Sequence, residues 1–221
     1  MNYKELKRII EKHNQAYYDR SASEISDSEY DQLYDKLEQI EKAQGWKDHD
    51  SPTLKVGGVA GKVSHPYKLY SLRKVYELEE VDKFMKVNLP KIDGTNLTLI
   101  YKRGKLKLAL TRGNGERGED VTHLTQFLNG APAMIDTLQD EVVINGECVT
   151  DNDVENYRNY VSGALGLKDA KEFKQRNIKF IAHDWLGIKM NYTARMKSVK
   201  NMGCYTALDE ESWDYPQDGI V

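Results

Sequence analysis

The stretch that decides the fold is residues 96–111, NLTLIYKRGKLKLALT. Apolar and polar side chains alternate within residues 96–101 and again within residues 105–111, which is the period of a half-buried strand. Between them, Lys102-Arg103-Gly104 is typical of a tight turn. The stretch therefore predicts a β-hairpin of two antiparallel strands.

Segments further along the chain add both strands and helices. We expect strands at residues 141–149 and 178–186, and helices at residues 121–128, 152–165 and 193–201. This order predicts an α+β domain built on a largely antiparallel sheet.

The N-terminal residues predict a separate hairpin of two helices. Ser26-Asp27-Ser28-Glu29 has the capping-box pattern that begins a second helix, and Gly45 is expected to end it. One face of each helix would pack against the other helix. The residues at helical spacing on these faces are Leu6, Ile10, His13 and Tyr17 in the first helix, and Tyr30, Leu33, Tyr34, Leu37 and Ile40 in the second. Glycines and prolines make residues 48–68 irregular. We therefore expect a small helical domain at residues 1–50 and a larger domain at residues 51–221.

Composition limits the kinds of partner and compartment. With 32 basic and 35 acidic residues, the net charge is −3, so any nucleic-acid contact must come from a local patch or from a partner. Cys148 and Cys204 are too far apart to form a short metal-ligand motif, and a disulfide framework is not expected. Residues 1–6 lack the hydrophobic region of a signal peptide, and no apolar run approaches membrane-spanning length. These features predict a cytoplasmic protein without membrane contact.

Lys91-Ile92-Asp93-Gly94 precedes the β-hairpin and is a candidate nucleophile motif. A lysine attacks only as a neutral amine, although the pKa of a free lysine is about 10.4. Asp93 would orient a sugar hydroxyl or the lysine, and Gly94 would let a ligand approach the backbone. Taken alone, the motif fits an exposed turn better than an active site, because such short patterns recur by chance.

Four further motifs follow in order, and the whole series resembles a known family. They are Thr111-Arg112-Gly113-Asn114-Gly115, Gly118-Glu119-Asp120-Val121-Thr122, Asn145-Gly146-Glu147 and Asp218-Gly219-Ile220-Val221. With the lysine motif, they resemble the adenylation domain of the NAD-dependent DNA ligases. Ala16-Tyr17-Tyr18 and residues 25–31, ISDSEYD, resemble the family's helical domain that binds nicotinamide mononucleotide (NMN). The resemblance covers nearly the whole chain and implies an ATP-grasp-like nucleotidyltransferase fold.

The resemblance implies that Lys91 attacks the α-phosphate of NAD with the help of Mg²⁺. This step would release NMN and leave a lysyl-AMP intermediate, which is then used to seal nicked DNA in replication and repair. The implied catalytic residues are Lys91, Asp93, Glu147 and Arg112. Those implied to bind the cofactor also include Ser71, Leu72, Gly94, His183 and Asp218 near the adenylate, and Tyr17, Tyr18, Asp27, Tyr30 and Asp31 near NMN.

Several implied roles have a structural alternative at this point. Arg158 would bind the nick phosphate, or it is a solvated helix arginine. His183 would stack on adenine, or it is a satisfied strand histidine. Tyr17 and Tyr30 would contact NMN, or they lie between the two helices. No residue is assigned as a direct metal ligand.

Departures from the family pattern leave the extent of the activity open. Leu89 and Asn114 replace acidic residues of the family, and Gly166 replaces an arginine. Later family lysines are missing, and Val221 would fall inside a strand. We therefore expect a second polypeptide or a missing C-terminal segment to supply those lysines and an OB-fold, as in a viral, split or truncated ligase. A non-catalytic NAD- or NMN-binding subunit, or adenylation of another nucleic-acid end, are the alternatives.

Overall fold

The chain divides into two compact units, which are described separately below. One comprises Met1–Leu72 with Gly113–Gly118, and the other Arg73–Arg112 with Glu119–Val221. The computed structural model describes residues 2–20, 25, 27–46, 48, 51–53, 63–72 and 88–221, without the side chains of residues 14–20, 27, 28 and 31. No helix in these ranges has both the length and the apolar character needed to cross a membrane.

The described strands and helices follow one another in a mixed order. They are α1 (Tyr3–Arg20), α2 (Asp27–Gln44), β1 (Val63–Ser64), β2 (Pro90–Ile92), β3 (Thr95–Lys102), β4 (Lys105–Thr111), β5 (Arg117–Gly118), β6 (Glu141–Thr150), α3 (Tyr157–Leu165), α4 (Ala170–Lys174), β7 (Ile178–Leu186), α5 (Tyr192–Asn201), β8 (Tyr205–Thr206) and β9 (Gln217–Ile220), with 3-10 helices at Thr122–Phe127 and Glu210–Asp214.

In the first unit, α1 and α2 form the predicted helical hairpin. Leu6, Ile10 and Leu37 are buried between them, as the spacing of apolar residues predicted. Gly45 has φ +71° directly after α2, and its N–H donates to the carbonyl of Glu41, so the predicted stop is confirmed. The predicted cap, Ser26, lies outside the described residues.

A buried carboxylate fastens the chain after α2 to the helical hairpin. Glu41 accepts hydrogen bonds from the hydroxyls of Tyr3 (3.2 Å), Ser51 (2.5 Å) and Thr53 (2.6 Å). Glu41 is only 2% exposed, and hydroxyl donors offset the cost of removing its charge from water.

In the second unit, a five-stranded sheet of order β4-β3-β6-β7-β8 forms the main body. All neighbouring strands pair antiparallel except β7 and β8. The predicted α+β class with a largely antiparallel sheet is therefore confirmed. The predicted β-hairpin is β3 and β4, and Arg103 and Gly104 turn it with φ of 50° and 73°, as a two-residue hairpin turn requires.

The two faces of the main sheet differ in character. One face buries Leu97, Leu99 and Ile144 in the principal core, which also contains α3 and α5 side chains such as Val161 and Val199. Alternation along the strands turns the residues between these to the opposite face. Register pairs Asn96 with Glu147 and Thr98 with Asn145, so this second face carries a polar group at the centre of the sheet.

A separate two-stranded sheet, β2 with β9, contains the candidate lysine. Backbone hydrogen bonds join Leu89 and Val221 in both directions (2.7 and 2.9 Å), and the N–H of Asp93 donates to the carbonyl of Pro216 (2.7 Å). All four residues of β9 are exposed. The strand pair therefore holds Lys91 beside the segment around Asp218.

Two of the predicted helices differ from the prediction. Only Thr122–Phe127 are helical, as a 3-10 helix, and Val121 before them has non-helical φ and ψ and donates its N–H to the carbonyl of Ala109 in β4. The helix predicted from residue 152 begins at Tyr157, because the side chain of Asn156 caps it by accepting the N–H of Asn159.

Several short elements were not predicted from the sequence, and two of them serve as examples. Within the segment that we expected to be irregular, Val63–Ser64 pairs with β5 as strand β1. Helix α4, Ala170–Lys174, is likewise absent from the prediction. Both are too short to show a periodic pattern.

Candidate functional site

Lys91 and Asp218 face each other across the β2–β9 pair. The Nζ atom of Lys91 lies 2.6 Å from both carboxylate oxygens of Asp218, and both side chains are about two-fifths exposed. A lysine in this contact is a nucleophile only after the pair opens and the amine loses a proton. Asp218, which we expected near the nucleotide, thus contacts the candidate nucleophile itself in this arrangement.

The turn between β2 and β3 packs tightly against β6. A Cβ atom on Gly94 would lie 2.3 Å from the carbonyl oxygen of Cys148, so only glycine fits at this position. This packing accounts for the glycine without any ligand. Next to it, the Asp93 carboxylate lies 3.9 Å from Nη1 of Arg158, and the carbonyl of Arg158 accepts a hydrogen bond from Thr95. The start of α3 is thereby joined to the lysine motif.

Glu147 is a partly buried carboxylate on the polar face of the sheet. Burial raises the pKa of Glu147 to about 7, against the opposing effects of Arg158, Arg112, a hydrogen bond from Asn96, and Lys91. Its Oε2 atom is buried and has no hydrogen-bond partner among the described residues. A buried, unsatisfied oxygen with three cationic side chains around it is able to receive a further polar group.

His183 occupies an irregularity in the pairing of β6 with β7. Gly146 pairs with Ala182 and Asn145 with Asp184, so His183 is an extra residue between them. Burial, with help from the charge of Arg112, lowers the pKa of His183 to about 4. The ring is therefore a neutral imidazole at pH 7, with Nε2 3.5 Å from Nδ2 of Asn96.

Two asparagines hold the polar face together, and sequence reasoning missed their role. Asn96 Nδ2 donates to Asn145 Oδ1 (3.0 Å) and to the carbonyl of Gly146 (3.1 Å). Asn145 Nδ2 donates in return to Asn96 Oδ1 (3.1 Å) and to Thr98 Oγ1 (2.8 Å). Asparagine is uncommon within strands, and that was the one available signal.

The second unit therefore brings together most of the predicted catalytic residues. Lys91, Arg112 and Arg158 all act electrostatically on Glu147, and Asp93 lies beside Arg158. Guanidinium and ammonium groups that act on one carboxylate also suit the oxygens of phosphates. In the part of the chain that the structure describes, no group of three or more His, Cys, Asp or Glu is arranged to hold a metal ion.

The other predicted site residues described below belong to the first unit. Ser71 and Leu72 are exposed and belong to the first unit. Tyr30 is partly buried against the core of the helical hairpin, with its ring centroid 6.1 Å from that of Tyr34. Tyr17 and Tyr18 lie on α1, and Asp27 and Asp31 on α2, but their side chains fall outside the description.

Comparison with known proteins matches both parts of the chain. Residues 1–57 match the family model of the DNA ligase-like, N-terminal NAD+-binding domain. Residues 59–154 match that of the NAD-dependent DNA ligase adenylation domain. These two matches define an NAD+-binding and adenylation module.

Similar proteins are bacterial DNA ligases. The chain is 35% identical to the DNA ligase of Brachyspira hyodysenteriae over 90% of its own length and 36% of that protein. It is 32% identical to DNA ligase 2 of Deinococcus deserti, over 89% and 34%, and 30% identical to the DNA ligase of Clostridium kluyveri, over 98% and 41%. The chain thus spans about two fifths or less of the length of these relatives, and its two matched parts are the NAD+-binding and adenylation domains of the NAD-dependent DNA ligase family.

Three of the departures from the family pattern lie at positions that the structure describes. Asn114 Oδ1 accepts the N–H groups of Glu116 (3.0 Å) and Arg117 (2.8 Å), a task that an amide oxygen performs as well as a carboxylate. Leu89 is buried in an apolar cluster with Ile92. Gly166 ends α3, and a Cβ there would meet nothing closer than 3.4 Å, so the backbone leaves room for a side chain.

Proposed function

We propose that this chain performs the adenylation step of an NAD-dependent DNA ligase. The neutral amine of Lys91 attacks the α-phosphorus of NAD, and a new N–P bond forms. The P–O bond to the NMN half breaks, NMN leaves with the bonding electrons, and the amine proton passes to solvent. The product is lysyl-AMP on Lys91.

The three cationic side chains that act on Glu147, Lys91 among them, support this proposal most directly. Arg112 and Arg158 act with Lys91 on one partly buried carboxylate, Glu147. A guanidinium group beside the nucleotide would neutralise phosphate charge and keep the α-phosphorus in line with the amine, which is the main requirement of phosphoryl transfer. We assign Arg112 to the nucleotide phosphate and Arg158 to the phosphate of a nick.

Glu147 and Asp93 are the residues that would serve a Mg²⁺ ion. Mg²⁺ keeps several waters and takes one or two protein carboxylates together with substrate phosphates. The unpartnered Oε2 of Glu147 fits such a water shell or a ribose hydroxyl. Bound there, the ion would supply positive charge beside the reacting phosphate.

The remaining cofactor contacts are proposed from the family resemblance. A neutral imidazole at His183 suits stacking on adenine, and Gly94, Ser71, Leu72 and Asp218 would surround the adenylate. The NMN half would bind the helical domain, which we place at residues 1–50, ahead of an adenylation domain at residues 51–221. Its contacts would be Tyr17, Tyr18, Asp27, Tyr30 and Asp31.

The proposed acceptor of the adenylate is nicked double-stranded DNA. Net charge of −3 gives the chain no overall attraction to DNA. Sealing would therefore use further protein, either a second polypeptide or a further segment with an OB-fold. The expected cytoplasmic location stays a prediction.

A comparison of NAD with ATP as the donor of the adenylate tests the proposed adenylation step. The chain, alone and joined to the remaining part of the Brachyspira relative, is incubated with Mg²⁺ and with NAD or ATP labelled in the adenosine. We expect a protein-bound label from NAD and not from ATP, and its removal when NMN is added, because the step is reversible. The absence of label from NAD in both forms would contradict the proposal.

One observation favours a second candidate, a subunit that binds NAD without reacting. Leu89 is buried among apolar side chains where the family has a glutamate, so one polar contact to the base is missing. Calorimetric measurement of NAD affinity beside the labelling experiment separates the two functions. Tight binding without label would favour the binding subunit.

A further inference from the structure

Strand β9 carries Asp218 but is only weakly supported by backbone pairing. Within the described residues it pairs with β2 alone, and all four of its residues are exposed. An isolated two-stranded ribbon is marginally stable in water. A defined position of Asp218 therefore needs a further attachment of β9 to the main sheet.

Tyr215, two residues before β9, provides such an attachment through Asp151. The Tyr215 hydroxyl donates to Oδ1 of Asp151 at 2.7 Å, and Lys179 Nζ lies 2.6 Å from Oδ2 of the same carboxylate. Lys179 Nζ is also 5.9 Å from the centroid of the Tyr215 ring. Each oxygen of the carboxylate thus has its own donor, and we call these three residues the tyrosine clamp.

The other two members of the tyrosine clamp belong to the main sheet. Asp151 directly follows β6, and Lys179 is the second residue of β7, paired with Val149. The ring of Tyr215 packs against the apolar cluster that contains Leu89 and Val149. The hydroxyl is therefore held by both a hydrogen bond and the packing of its ring.

The charge states of the tyrosine clamp suit its hydrogen bonds. Burial alone would raise the pKa of Asp151, but hydrogen bonds from Lys179 and Tyr215 outweigh it and lower that pKa. Burial and the hydrogen bond to Asp151 raise the pKa of Tyr215. At neutral pH the carboxylate is ionised and the phenol is protonated, which is the combination that a strong hydrogen bond requires.

We propose that Asp151, Lys179 and Tyr215 are positioning residues that fix β9, and with it Asp218, opposite Lys91. Tyr215 lies three residues before Asp218, and three residues of extended chain reach at most about 10 Å. A fixed position of Tyr215 therefore restricts the positions that Asp218 can occupy. The catalytic consequence rests on the proposed adenylation by Lys91, but the structural link does not.

Amide hydrogen exchange by NMR tests the link without using activity. The N–H of Leu89 donates to Val221 and the N–H of Asp93 to Pro216, so both amides report whether the β9 segment stays in place. The variant Tyr215→Phe removes one hydroxyl and keeps the ring. Tyr205→Phe is the matched control, because Tyr205 is about half exposed and its hydroxyl has no hydrogen bond among the described residues.

We expect Tyr215→Phe to speed exchange of the Leu89 and Asp93 amides about tenfold, since a hydrogen bond to a charged group is lost. The amides of β3 and β6 should be unchanged, and Tyr205→Phe should have no effect. Unchanged exchange in Tyr215→Phe, or equal acceleration throughout the sheet, would overturn the proposal. Adding Asp151→Asn to Tyr215→Phe should give little further acceleration, because both changes break the same contact.

Adenylation kinetics test the catalytic consequence. In Tyr215→Phe we expect kcat for label transfer from NAD to fall about tenfold with KM unchanged, because a displaced group costs rate more than binding. A merely structural role would lower Tm and leave kcat unchanged below the transition, which would overturn the positioning role. If the wild-type chain forms no adduct, the adenylation proposal fails, and the exchange experiment still decides the link.

Discussion

Lys91 Nζ lies 2.6 Å from both carboxylate oxygens of Asp218, across the two-stranded pair β2–β9. In this arrangement the amine is held but not yet reactive, since it must shed a proton to attack phosphorus. The phosphates of an arriving dinucleotide would compete with Asp218 for the lysine. Asp218 therefore acts, in our account, by setting the position from which Lys91 reacts.

Replacing Asp218 by asparagine should slow the reaction more than it weakens binding. Asp218→Asn keeps the size of the side chain but cannot hold an ammonium group equally from two oxygens. We expect kcat for lysyl-AMP formation to fall about a hundredfold, with KM for NAD changed less than threefold. Asp214→Asn, in the neighbouring 3-10 helix, is the control. A large rise in KM at normal kcat would instead make Asp218 a binding residue.

Adding a methyl group at Gly94 should disturb the turn that carries the lysine motif. A Cβ there would lie 2.3 Å from the Cys148 carbonyl, so we expect Gly94→Ala to cost about 3 kcal/mol of unfolding free energy and to slow adenylation. Gly163→Ala, in α3 with nothing within 4 Å, should stabilise by about 0.5 kcal/mol. Urea unfolding measures both, and equal stabilities would contradict this account of Gly94.

Glu147 should make the protein less stable as pH rises. Its pKa is about 7 when folded and 4.5 ordinarily, so the native state holds the extra proton between these values. Its contribution to stability falls by about 3 kcal/mol as pH rises from about 4.5 to 7, and is constant above that. Urea unfolding across this pH range measures the free energy of unfolding. Its fall with rising pH should be absent in Glu147→Gln and present in Glu119→Gln. An unchanged slope in Glu147→Gln would refute the assignment.

His183 should have the opposite effect on stability. Its pKa is about 4 when folded and 6.5 ordinarily, so the unfolded state binds the proton first as pH falls. The contribution is complete above pH 6.5 and about 3 kcal/mol of it is lost by pH 4. In His183→Phe the acid-side loss should shrink, whereas His123→Gln should behave as wild type. The pH dependences of stability that Glu147 and His183 contribute have opposite signs and partly cancel in the wild-type protein. Each contribution is therefore measured in the variant that lacks the other residue.

The fold could be predicted where a local pattern carries the information. The alternation of residues 96–111 around Lys102-Arg103-Gly104 predicts the β3–β4 hairpin, because strand period and turn chemistry are both local. The stripe of Leu6, Ile10 and Leu37 predicts the helical hairpin for the same reason. The 3-10 helix at Thr122–Phe127 was misjudged because its contact with Ala109 is a property of the tertiary fold.

The candidate site was predicted only in part, because much of it depends on strand register. Lys91, Glu147 and Arg112 were predicted as site residues because they belong to motifs that resemble those of a known family. Asn96 and Asn145 meet because β3 and β6 pair in one particular register, which no local pattern reveals. Tyr215 and Asp151 are 64 residues apart in sequence, and their hydrogen bond appears only in the folded chain.

Locating the adenylate within the protein tests the central claim most directly. After reaction with NAD and Mg²⁺, peptide mass spectrometry should find AMP on the peptide that contains Lys91, and the adduct should be absent from Lys91→Met. Lys105→Met, which removes an exposed lysine of the β3–β4 hairpin, should react as the wild type does. AMP on a different lysine, or an undiminished adduct in Lys91→Met, would contradict the account.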